Sequence, residues 1–165
     1  MKKIIVFLLA IANFILMSTL FQQFRVYGVL ANLCIVFSII FAILFSEQHG
    51  YIFAVVSGLL QDTFLGKVLF VNTIIYTILV YVTVRVERIM FKGNDMTPIF
   101  LISMATIAYH LIFFVFMFLL QSTIPIHQLA MHIIIEVILN SIIGLIIYRL
   151  VFKNVFGYKL GDYNA

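Results

Sequence analysis

The sequence predicts an all-α integral membrane protein with six transmembrane helices in a single domain over residues 1–165. The first reason is composition. The chain is 65% hydrophobic and only 10% charged, and its mean hydropathy is +1.23. Soluble domains typically have about 45–50% apolar and about 25% charged residues. The second reason is pattern, because six apolar segments follow one another and no polar stretch is long enough for a separate soluble domain.

The apolar segments are expected to form helices whose limits follow the hydropathy. They run over Ile4–Phe21, Val29–Phe45, Tyr51–Leu65, Val68–Val84, Pro98–Leu120 and Leu129–Val151.

The first segment imitates a signal peptide, with Lys2 and Lys3 before an apolar run and an Ala10-Ile11-Ala12 step within it. The apolar run continues to Leu20, which is long enough to span a bilayer. We therefore expect a retained first helix. The second segment carries the single cysteine, Cys34, which we expect to be a small buried residue.

The third segment is the least regular of the six. Its apolar run from Tyr51 to Leu60 ends at Asp62, whereas a crossing needs about 20 residues. Gly58 and Gly66 bracket the carboxylate. An ionisable group at or near membrane depth is costly and marks a candidate functional site.

Turn and cap residues set the later boundaries. Gly93-Asn94-Asp95 predicts a turn, after which Thr97 offers a helix cap and Pro98 occupies the first helical position. Pro125 interrupts the chain before the last segment in the same way.

The basic residues favour six crossings with both termini in the cytoplasm. In that topology eight basic residues lie inside, and only Arg25 and Lys67 lie outside, which accounts for all ten. The alternative of five crossings, without the third segment, would put the two termini on opposite sides. The positive-inside rule therefore places Asp62 near the outer face. The basic groups are scattered beside acidic ones, so we expect contacts with membrane lipids and not with nucleic acid.

Polar residues recur on single faces of the last three segments. The sixth carries His132, Glu136, Asn140 and Gly144 at four-residue spacing. The other two faces are Ser103, Thr106 and His110 in the fifth segment, and Asn72, Tyr76 and Thr83 in the fourth.

Two interpretations of these polar faces stay open. In the first interpretation, the groups satisfy one another and hold helices together. In the second, they line a cleft formed by Glu136, His132 and Asn140, with Asp62 as a further candidate. A proton relay through Glu136 and His110 is also conceivable. A metal ion or catalytic dyad at His132 and Glu136 is not demanded by any motif. We predict no enzyme activity, cofactor or metal.

Asp62 has several conceivable partners: Lys67 across the turn, headgroup water, a donor from a partner protein, or the turn itself. We expect Asp62→Asn and Asp62→Leu to leave folding intact if the carboxylate serves a partner.

The stretch Gly58-Leu59-Leu60-Gln61-Asp62, followed by Gly66, Asn72 and Tyr76, resembles the rod shape-determining membrane protein MreD family. The resemblance covers mainly residues 32–81. The chain has Ala31 where the family usually has proline, and Phe70 where it usually has a second glycine.

The resemblance implies a non-enzymatic component of the cell-elongation machinery that makes peptidoglycan in the bacterial cytoplasmic membrane. The implied partners are an MreC-like bitopic protein, the glycan polymerase and transpeptidase, and the MreB-like filament. It also implies a fold similar to the six-helix substrate-binding subunit of energy-coupling-factor vitamin transporters, which supplies the alternative function.

Overall fold

The structure is a computed structural model that describes residues 2–66, 68–89, 96–120 and 126–161, without the side chains of 126–129 and 153–161. Within these residues the chain is helical, apart from an isolated β-bridge between Val26 and Val29. The helices are α1 (Lys3–Ser18), α2 (Leu33–Leu44), α3 (Glu47–Phe64), α4 (Val71–Glu87), α5 (Met96–Leu119) and α6 (Ile126–Gly161), with a 3₁₀ turn at Leu20–Gln23. The predicted all-α fold with six helices is confirmed.

Three stretches are long and apolar enough to cross a membrane, namely Lys3–Gln23, Met96–Leu119 and Ala130–Phe152. The 12-residue α2 is also strongly apolar but shorter. These lengths and compositions fit a membrane protein. Six crossings and the side on which each terminus lies remain predictions.

Helix α2 is the centre of the bundle, because it contacts every other helix and most of its residues are buried. Helix α3 packs against α1, α2 and α4, and α5 also packs against α4 and α6. The main core lies between α2, α4 and α5, where the side chains are aliphatic and fully buried. Its most buried members include Ile39, Ile40, Ile75, Val80, Leu101 and Ile102.

Helix α1 joins the bundle through a small polar contact as well as apolar packing. The buried Asn13 side chain donates from Nδ2 to the sulfur of Cys34 at 3.3 Å. Cys34 is completely buried, as expected, and it also accepts from Gln61 on α3. The first helix is therefore an integral part of the fold.

The helix starts show why hydropathy misplaced some boundaries. Helix α2 begins at Leu33, four residues later than predicted, because the Asn32 side chain caps it by accepting from the backbone N–H of Ile35 at 3.4 Å. Helix α3 begins at Glu47, because an acidic residue suits a helix amino terminus even though it is not apolar.

The bundle has two chemically different ends. The carboxyl-terminal parts of α1, α3 and α5 meet the amino-terminal parts of α2, α4 and α6 around a cavity, and we call this the cavity end. At the opposite end Arg88, just after α4, pairs with Glu47 at the start of α3. We call that the ion-pair end.

Candidate functional site

The start of α4 is capped by Asp62, a carboxylate from α3. One oxygen accepts from the backbone N–H and the side-chain amide of Asn72, at 3.0 and 2.9 Å. The other accepts from the backbone N–H and the hydroxyl of Thr73, at 2.9 and 2.7 Å. Asp62 is only 1% exposed. A negative charge at a helix amino terminus is stabilised by the unpaired N–H groups there and by the helix dipole.

Two glycines permit this cap by bringing backbones together. A Cβ at Gly58 would lie 2.5 Å from the Cα of Thr73, so α3 and α4 touch at this point. A Cβ at Gly66 would lie 2.8 Å from the backbone oxygen of Asp62. Both positions therefore require glycine for space.

The left-handed residue in the α3–α4 connection is Phe70, with φ of 69°. It stands immediately before α4 and supplies no side-chain cap of its own. Left-handed backbone costs an L-residue about 1–2 kcal/mol, a cost that glycine avoids. Asp62 thus replaces the local cap that this strained turn does not provide.

A chain of polar contacts continues from the cap into the bundle. The Tyr109 hydroxyl donates to the side-chain oxygen of Asn72 at 2.8 Å, and its ring stacks on Tyr76 with centroids 5.5 Å apart. The Tyr76 hydroxyl donates to Gln61 at 2.6 Å and accepts from the Asn32 amide at 3.1 Å. Four helices are linked by these contacts.

The polar chain ends in a carboxylate–imidazole pair between α5 and α6. The side-chain oxygen of Asn140 accepts from the backbone N–H of Asn32 at 2.8 Å, and its amide donates to Thr106 at 3.0 Å. The Asn140 amide also approaches Glu136, at 3.5 Å. The other Glu136 oxygen lies 2.9 Å from Nε2 of His110. Both Glu136 and Asn140 are buried.

These groups border a cavity of about 600 Å³. Its lining contains polar and apolar side chains, and we call these two sets the polar wall and the apolar wall. The polar wall comprises Gln22, Asn32, Gln61, Asn72, Tyr109, His110, His132 and Glu136. The apolar wall comprises Met17, Leu30, Ala31, Leu65, Val68, Val71, Phe113 and Met117. A volume of this size is typical of a small-molecule site, for which about 300–1,000 Å³ is usual.

The structure places several of the predicted cleft residues around this cavity. Glu136 and His132 line the cavity, together with Asn72, His110 and Gly66, which were also candidates. Asn140 and Tyr76 lie in the polar chain behind its wall. Gly58 lies at the α3–α4 contact, away from the lining.

The structure corrects two expectations about the carboxylates. Asp62 does not line the cavity, and its oxygens are bonded by α4, while Lys67 lies outside the described residues. Asp62→Leu should therefore not be tolerated, because it would leave buried donors unpaired. Glu136 pairs with His110 and not with His132, which speaks against the dyad of His132 with Glu136. Among the described residues, no three potential metal ligands cluster.

Sequence reasoning missed Asn32, Gln61 and Tyr109 as members of the site. Asn32 and Gln61 were signalled only by their position at a helix start and beside Asp62. Tyr109 follows Thr106 by three residues and precedes Phe113 by four, which places it on the polar face of α5. A tyrosine in an apolar helix is too common to indicate a site by itself.

Comparison of the chain with models of protein families, with curated proteins and with solved structures gave no significant match.

Proposed function

We propose that this protein is a non-enzymatic membrane component of the bacterial cell-elongation complex, similar to MreD. In this role it binds the membrane span of an MreC-like bitopic protein and helps to determine rod shape. It resides in the cytoplasmic membrane with both termini in the cytoplasm. The glycan polymerase, the transpeptidase and the MreB-like filament are the further partners proposed.

The observation that carries the proposal is that the residues of the MreD-like pattern form one structural unit. Gly58 contacts Thr73, Asp62 caps α4 through Asn72, and Tyr76 bonds back to α3 at Gln61. Chance matches to the family pattern in a hydrophobic sequence would not be expected to contact one another. The contacts among these residues in the α3–α4 hairpin support the resemblance to the MreD family.

Phe70 also supports the resemblance, although it departs from the family pattern. It departs from the pattern at a position where the family usually has glycine, and its backbone is left-handed. A glycine preference is what this conformation creates. The left-handed backbone at Phe70 therefore gives a physical reason why the family usually has glycine there.

The network also suits a scaffold. Most of its polar groups bond one another across helices, from Asp62 through Tyr76 to Asn140, which holds the helices in fixed positions. Interhelical hydrogen bonds in membranes contribute about 0.6 kcal/mol each on average, so several are needed for a rigid arrangement.

The proposal is tested by purifying the tagged protein from native membranes and identifying its partners by mass spectrometry. We expect a single-span protein with a large external domain, together with the elongation enzymes. Depletion of the protein should round the cells. Normal rods after depletion, with no such partner, would contradict the proposal.

A second candidate, the substrate-binding subunit of an energy-coupling-factor vitamin transporter, is favoured by the cavity of about 600 Å³. Its test is extraction of the purified protein and analysis of the extract for a vitamin. A stoichiometric vitamin, combined with unchanged cell shape on depletion, would replace the elongation role with this one.

The proposed topology is tested by labelling single cysteines with a membrane-impermeant reagent. Cysteine at Gln23 should be labelled from outside in intact cells, and cysteine at Lys159 only after the membrane is opened. The native Cys34 gives a low background because it is fully buried. Labelling of both sites from one side would contradict six crossings.

A further inference from the structure

We propose that the cavity binds the uncharged, hydroxyl-bearing head of an amphiphile, such as the glycerol or sugar of a neutral glycerolipid. The apolar wall then holds the first part of its chain. This inference does not rest on the elongation role, because it follows from the walls of the cavity alone.

The polar wall has hydrogen-bonding capacity that the protein does not use. Each side-chain amide nitrogen carries two N–H groups. One N–H of Gln61 bonds to Cys34 and one of Asn72 bonds to Asp62, which leaves one on each residue with no acceptor in the described part of the chain. His110 uses only Nε2, and His132 makes no hydrogen bond to the described part of the chain. Hydroxyl groups, which donate and accept, match such a mixed wall.

The charge of the wall argues against an ionic head. The described lining residues include one carboxylate, Glu136, and no lysine or arginine. Among the described lining residues a phosphate would therefore meet a carboxylate, and Arg25, outside the lining, is already bonded to the Gln22 side-chain oxygen. A quaternary ammonium would have to compete with His110, which already lies 2.9 Å from Glu136. An uncharged head avoids both costs.

The apolar wall extends the site beyond a purely polar solute. Phe113 and Met117 stand one turn apart on α5, and Met17 and Leu30 contribute from α1 and the segment before α2. Methionine adapts to irregular apolar shapes, such as an acyl chain. Helix α5 also exposes Val115 and Phe118, which is consistent with surrounding lipid.

The chain contains no tryptophan, so one introduced tryptophan reports on its own surroundings. We would place it at Phe113, in the cavity wall, and at Phe118 as the matched control on the same helix, which is 71% exposed. Both variants are reconstituted in nanodiscs with increasing fractions of a monoacylglycerol that carries bromine on its chain and quenches nearby tryptophan. Met117→Trp serves as a second cavity reporter.

We expect half-quenching of Phe113→Trp at a mole fraction about tenfold lower than for Phe118→Trp, which corresponds to a preference of about 1.4 kcal/mol over bulk lipid. Unbrominated monoacylglycerol or a glucosyl diacylglycerol should reverse this quenching. The competitor that reverses the quenching at the lower mole fraction shows whether a glycerol head or a sugar head is preferred.

Brominated phosphatidylglycerol and a brominated trimethylammonium lipid should quench both reporters at the same mole fraction. The proposal is overturned if the monoacylglycerol also fails to distinguish the cavity reporters from Phe118→Trp, or if either charged lipid does distinguish them. Competition by free glycerol or glucose without a chain would likewise overturn it. None of these outcomes bears on partner purification or cell shape.

Discussion

Two carboxylates at opposite ends of the bundle differ in how they are held. At the cavity end, the buried Asp62 and a run of directional hydrogen bonds connect residues far apart in sequence. At the ion-pair end, Glu47 pairs with Arg88 on the surface, with the Arg88 and Glu47 side chains 60% and 49% exposed. An exposed ion pair contributes little to stability, whereas a buried donor that loses its acceptor has no substitute. Loss of Asp62 should therefore cost more than loss of Glu47.

The largest effect is expected for Asp62→Leu, which removes the acceptors of two backbone N–H groups and two side chains. We expect the free energy of unfolding in detergent to fall by about 3–5 kcal/mol, with a smaller loss for Asp62→Asn. The matched substitution at the other end, Glu47→Leu, should cost at most about 1 kcal/mol because its ion pair is exposed. Equal losses at Asp62 and Glu47 would remove the distinction between the ends.

The close approach of α3 and α4 is tested by the substitution Gly58→Ala. The added methyl group would meet the backbone of Thr73, which cannot rotate away, so we expect a loss of about 1–3 kcal/mol in unfolding free energy. Thr63→Ala, an exposed position on the same helix, is the control and should change stability by less than about 0.5 kcal/mol. A stabilised Gly58→Ala protein would show that the helices are further apart than described.

A smaller effect is expected for Tyr109→Phe, which removes the hydroxyl that donates to Asn72 and preserves the ring stacked on Tyr76. We expect a loss of about 1 kcal/mol in unfolding free energy. In Tyr81→Phe, the exposed ring still lies under Arg85, with the guanidinium 5.1 Å from its centroid, and stability should not change. Thermal unfolding of the two variants side by side tests the difference.

The smallest effect should be a gain. Phe70→Gly relieves the left-handed backbone, and the relief is partly offset by the greater freedom of glycine in the unfolded chain. We expect about 0.5–1 kcal/mol of added stability. The neighbouring Leu69→Gly meets no such relief and should lower stability instead. A loss in both variants would indicate that the Phe70 ring matters more than its backbone.

The fold was more predictable than the site because hydropathy reports burial along each segment. It located all six helices, although it started α3 at Tyr51 and ended α6 at Val151, ten residues early. The omitted stretches contain polar residues such as Glu47 and Lys159, and helix formation continues through polar residues where backbone hydrogen bonds permit.

The site was predictable only where one helix face revealed it. Glu136 and Asn140 repeat at helical spacing on α6, His110 lies on the polar face of α5, and the structure brings the three together. The cap at Asp62 was not foreseeable in its geometry, because a carboxylate next to a turn can bond that turn, solvent or a neighbour with similar ease. Only the placement of α4 decides among them.

The α3–α4 hairpin also sets an order of events during synthesis. Asp62 emerges from the ribosome ten residues before Asn72, whose amide and backbone N–H it needs. Until then the carboxylate has no partner in α4, and its transfer into the bilayer is unfavourable. We expect α3 and α4 to enter the membrane as a pair, because Asp62 gains its hydrogen-bond donors only when both helices are present.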